Sequence, residues 1–77
     1  MKENKIKLIW DFRGPQSADT ALHFEHHLRE SPLFRPDLKT GVEHLSDVHS
    51  LAFMVVGASE MPAFRDALRP HRGTLSE

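Results

Sequence analysis

The stretch KIKLIWDFRGPQSAD, residues 5–19, decides the fold, because a strand turns into a helix within it. Ile6, Leu8, Trp10 and Phe12 alternate with Lys5, Lys7, Ile9, Asp11 and Arg13. A period of two marks a strand with one strongly buried face. Gly14 and Pro15 end it, because glycine opens turn conformations and proline supplies no ladder donor. Ser17 reads as the helix N-cap, and Asp19 sits in the first turn, where the helix dipole favours an acid. The helix is predicted to run to about Glu30. Its apolar stripe is Ala18, Ala21, Leu22 and Leu28, with Phe24 at the edge. Pro32 steers Ser31 away from helical angles and stops it.

Working outward, residues 31–40 (SPLFRPDLKT) form a connection whose Leu33, Phe34 and Leu38 fold back on the core. Residues 41–46 form a short strand carrying Val42 and Leu45, and residues 47–49 a polar turn. Residues 50–57 contain LAFMVV, apolar at consecutive positions, which suits a central strand. A second helix follows, with Pro62 in its first turn and Met61, Phe64 and Leu68 facing inward; Pro70 ends it. Thr74 and Leu75 either add an edge strand or fray. The order is β-α-β-β-α, with or without a final strand. A right-handed first crossover and a hairpin place strands one and three in the middle, antiparallel, with both helices on one face. The expected class is α+β: a ferredoxin-like (split β-α-β) two-layer sandwich formed by residues 1–77 as one domain, its last strand short or absent. The element order resembles that of small stand-alone bacterial domains of this superfold, a likeness that assigns no activity by itself.

The chain has 77 residues, ten Lys and Arg, eleven Asp and Glu, and a net charge of −1. That balance argues against generic nucleic-acid or membrane-surface binding. No apolar run is long enough for a membrane span. With no cysteine, disulfides, thiolate metal sites and cysteine nucleophiles are excluded. The start MKENKIK lacks the apolar core of a signal peptide. The expected location is the cytoplasm.

In the expected topology three segments meet at one end of the sheet: residues 11–15, 47–49 and 69–73. They offer Asp11, Arg13, Asp47, His49, Arg69, His71 and Arg72, beside the free N–H groups of residues 16–18. One reading is that loop ends are wet and therefore polar. The other is a small-anion site, for phosphate or a carboxylate, held by Arg13, Arg72 and the helix N-terminus. The ligand candidates are Asp11, Arg13, Asp47, His49, His71 and Arg72. DFRGP, residues 11–15, resembles the Asp-x-x-Gly turn after the first strand of ACT domains. That resemblance implies a ligand site at a dimer interface; Pro15 and the lack of an evident full last strand depart from the pattern.

Six histidines are the unusual count. In HFEHH, His23 and His27 lie one helical turn apart and can reach a common metal ion. They face away from Ala21 and Leu28 with no third ligand alongside, and the His-Glu-x-x-His spacing is missing. No metal and no cofactor are expected. Asp11 with His49 or His71 offers a general-base pair. No nucleophile motif, phosphate loop or dinucleotide fingerprint accompanies it, so a non-catalytic binding domain is favoured over a small enzyme or ligand sensor using Asp11, Arg13, His49 and His71, and over divalent-metal binding by the histidines.

The sheet face left without helices is expected to carry Ile9, Leu45, Ala52, Met54 and Val56, ringed by Lys5, Lys7 and Glu43. A contiguous apolar patch of that kind marks an interface, so a homodimer is the expected assembly. Trp10, Phe12 and Phe53 are expected to point inward. That argues against stacking of RNA bases on the open face. Neither nucleic acid nor membrane is expected as a partner. A shift of one residue in the third strand reverses the Phe53 part of that argument.

Overall fold

The computed structural model describes residues 4–76. The elements are β1 (Lys5–Arg13), α1 (Ser17–Glu30), β2 (Lys39–Ser46), β3 (His49–Gly57), α2 (Met61–Leu68) and β4 (Arg72–Ser76). They form an α+β structure: a four-stranded sheet of order β2-β3-β1-β4, antiparallel at every pairing, with two helices.

The alternation in β1 does what its chemistry dictates. Leu8 and Trp10, with Ile6 and Phe12 at the margins, join Leu28 and Phe24 of α1 and Phe64, Met61 and Leu68 of α2 in one core. Both helices therefore cover the same sheet face. Residues paired across neighbouring strands point to the same side. Leu8 pairs with Met54, Trp10 with Ala52 and Ile6 with Val56.

This register corrects one expectation. Ala52, Met54 and Val56 are not on the open face; each is 0% exposed beneath the helices. Leu51, Phe53 and Val55 face the open side instead, with Ile9. LAFMVV is apolar at every position, so its pattern carries no register, and a one-residue shift flips every side chain. Ile9 and Leu51 are nonetheless buried. In register they are flanked by Phe53, Arg72, Asp11 and Glu43. Leu45 sits at an irregularity between His44 and Ser46 and is exposed.

The start of α1 also departs from expectation. Gln16, not Ser17, is the N-cap, without a side-chain cap bond. Ser17 is the first helical residue, buried, and its Oγ has no hydrogen-bond partner among the described residues. Ala21 and Leu28 face inward as expected, while Ala18 and Leu22 are exposed. Glu25 is buried but satisfied. It accepts a hydrogen bond from Thr40 Oγ1 at 2.8 Å and pairs with Arg29 at 3.0 Å, tying α1 to β2.

Trp10 Nε1 donates to the carbonyl of Leu68 at 3.1 Å and anchors the end of α2 on β1. Arg69, in the left-handed region at φ 50°, closes that helix. Arg35 grips Glu60 with both terminal nitrogens, at 2.6 and 3.0 Å, fixing the 31–40 connection to the start of α2. Among the described residues, no helix is long and apolar enough to cross a membrane.

Candidate functional site

At the loop end the backbone sets the geometry first. Gly14, at φ 116°, takes an angle that side chains disfavour. Its N–H donates to Val48 O at 2.8 Å, locking the β1 turn to the β2–β3 turn. His71 N–H donates to Ile9 O at 2.9 Å and starts β4 alongside β1.

Four of the six ligand candidates meet there. Arg72 donates to Asp11 through Nε to Oδ2 at 2.9 Å and through Nη2 to Oδ1 at 3.1 Å. His49 Nε2 lies 3.0 Å from Oδ1. The Asp11 N–H donates to His71 Nδ1 at 2.9 Å. The Arg72 fork, with the His49 bond adding to it, holds the Asp11 carboxyl at about 2, below its ordinary 3.8, although burial pulls the other way. Arg13, paired in register with His49, is exposed, and its side chain has no hydrogen bond or ion pair with the described residues. Asp47 is exposed in the turn and stays outside the network.

This arrangement is charge-balanced within itself. Both carboxylate oxygens of Asp11 are committed, and the Arg72 fork is committed to them. An incoming anion gains the Nε–Nη2 fork of Arg72 only by displacing Asp11. A carboxylate held near 2 is also a weak proton acceptor at neutral pH.

The open face is different. Its rows, read from β2 to β4, are Lys39–Val55–Lys7–Thr74, then Gly41–Phe53–Ile9–Arg72, then Glu43–Leu51–Asp11. Lys5 and Arg13, the first and last residues of β1, share the same alternation. A groove of ≈ 640 Å³ opens over the first rows, lined by Lys5, Lys7, Lys39, Glu43, Phe53 and Val55 and bordered by Arg35 with its partners Asp37 and Glu60. The half-buried Phe53 ring sits against Gly41; a Cβ there would lie 2.8 Å from Cζ. Lys7 Nζ stands 4.5 Å from the ring centre and pairs with Glu43. From the sequence Phe53 is expected to point inward and Lys39 is not among the site candidates; the register puts both on the open face. Gly41, a strand-interior glycine, was the available signal, since such a position often marks close approach by a neighbour.

His23, His26 and His27 are exposed on α1, and His27 Nδ1 lies 3.7 Å from Glu30. Among the described residues, no three metal-ligating side chains converge. His44 Nδ1 is 2.9 Å from the Oγ of Ser50, which is buried on the helix-covered side of the sheet. No family model matches the chain, and no curated protein or solved structure shows significant similarity to it.

Proposed function

We propose that the chain is a non-catalytic binding domain of the ferredoxin-like type whose open sheet face takes an anionic ligand. The fold part of this reading is supported by the strand order, which runs β4-β1-β3-β2 from the other edge, and by two helices packed on one side.

The observation that carries the ligand part is the segregation of charge. The register gives one face Lys5, Lys7, Arg13, Lys39 and Arg72 against Asp11 and Glu43, and the groove over it adds Arg35, Asp37 and Glu60. The chain as a whole is −1, so this face is a net-positive surface on a net-negative protein. Such a field concentrates anions locally despite the overall charge. The depressed Asp11 carboxyl favours binding over base catalysis at the loop end.

Titration with inorganic tripolyphosphate, followed by amide chemical shifts, tests this. Lys7, Lys39, Phe53 and Arg72 are expected to move together, and less so as salt rises. Shifts confined to residues 14–18, or none at millimolar concentration, count against it.

Face-to-face pairing of two copies brings two positive faces together, and Ala52, Met54 and Val56 add nothing to that contact. A second reading, pairing edge to edge along β4, is favoured by Leu75, which is 75% exposed beside the groove between α2 and β4. Sedimentation of wild type and Leu75→Glu at tens of micromolar separates a β4-edge dimer from a monomer.

A further inference from the structure

Resting on the anion-binding reading, we infer that the open face binds single-stranded nucleic acid, with a base stacked on Phe53 and the backbone phosphates running along the cations of β1 and its neighbours. Three observations converge on this ligand. The first is Phe53 itself. It is an aromatic ring on a central strand, facing the side no helix covers, at the floor of an open groove. Its partner across the sheet is Gly41, so no side chain stands between the ring and that edge. An aromatic ring lying on a flat sheet offers a π-face to any unpaired base, whatever its identity.

The second is Lys7. Its ammonium stands over the Phe53 ring and pairs with Glu43. A base that stacks on Phe53 takes the place of this ammonium, which then turns from Glu43 to a phosphate. The ring already attracts a positive charge to that place, and an anionic strand gives the charge a stronger partner.

The third is the length of the cationic track. Lys5 and Lys39 lie at one end of the face and Arg13 at the other. β1 has nine residues, so the cations at its two ends span about 30 Å, with the Glu43–Leu51–Asp11 row between them and Arg72 paired to that Asp11. A mononucleotide occupies only the Phe53 end of that span, whereas a strand of several nucleotides uses all of it. A duplex presents its bases already stacked and gains nothing from Phe53. The positive face and the aromatic ring together therefore select a single strand.

The test is fluorescence anisotropy with a labelled oligouridylate of about eight nucleotides, run against the full chain at several salt concentrations. Wild type is expected to bind with a logarithmic affinity that falls linearly with log salt. Lys5→Glu with Lys39→Glu, both exposed and distant from the core, is expected to abolish binding without changing the fold. Phe53→Leu keeps an apolar side chain on the sheet and removes the stack; a loss of roughly 5- to 150-fold is expected. Phe53→Tyr is expected to restore binding, which separates stacking from packing.

Equal affinity of Phe53→Leu and wild type overturns the inference, as does preference for a duplex of the same length. Binding of a mononucleotide as tight as that of the oligomer also overturns it. If tripolyphosphate still shifts the open-face amides while the oligonucleotide fails, the nucleic-acid assignment falls and the anion face stands. If neither binds, both fall.

Discussion

The Phe53 ring and the backbone of Gly41 occupy each other's space so closely that a methyl group at Gly41 would lie 2.8 Å from Cζ and 2.9 Å from Cε2. Real carbon atoms do not sit at such distances, so the ring must move if residue 41 acquires a side chain. Gly41→Ala is expected to cost about 1 kcal/mol, the low end of the range for overpacking, because the half-buried ring has the open groove to move into; urea denaturation measures it. In a Phe53→Ala background the clash is gone. There Gly41→Ala is expected to be neutral or mildly stabilising, because alanine loses less backbone entropy in a strand than glycine. Additive costs in the two backgrounds would mean that the ring does not rest on the glycine.

The register of β3 makes Val55 and Val56 opposites. Val56 is fully buried under the helices, whereas Val55 is half-buried on the open face. Threonine has nearly the shape of valine and adds one hydroxyl. Val56→Thr buries that hydroxyl among apolar groups and is expected to cost about 1–3 kcal/mol. Val55→Thr leaves it within reach of water and is expected to change stability by less than about 0.5 kcal/mol. Thermal melts of the two variants decide the register. Reversed costs would restore Met54 and Val56 to the open face.

What was legible in the chain and what was not divides along this same strand. β1 could be read because its apolar and polar residues alternate, so only one face can be buried. The convergence of Asp11, His49, His71 and Arg72 could be read because topology alone brings those segments to one end. In β3, residues 51–56 are all apolar, and no pattern says which alternate set lies under the helices. Phe53 was therefore assigned inward, and the charged face lost its aromatic centre. The Asp11–Arg72 fork was also out of reach. It depends on β4 pairing so that Arg72 stands opposite Ile9, and residues 72–76 carry too weak a strand signal to fix that register. Ser17 looked like a cap from its type, but Gly14 and Pro15 bring the chain in so that Gln16 takes the cap position and Ser17 turns inward.

The last prediction joins stability to binding through Asp11. Its carboxyl is held at about 2 by Arg72 and His49. A depressed carboxylate contributes stability that is complete above its unfolded value near 3.8 and is lost as pH falls through about 2. Asp11→Asn removes this contribution. At neutral pH the variant is expected to be less stable by about 1 kcal/mol; the figure is kept small because the Arg72 partner is half exposed and screened by water. The difference is expected to shrink between pH 4 and pH 2, as the wild type becomes protonated and the two proteins converge. The same substitution takes one negative charge from the open face and frees the Arg72 fork for phosphate. Asp11→Asn is therefore expected to bind oligouridylate more tightly than wild type, with a salt slope steeper by about 0.7, the increment for one added phosphate contact on a single strand. Stability and affinity then move in opposite directions from a single residue. Loss of both together would show that Asp11 organises the face rather than competing for its cations.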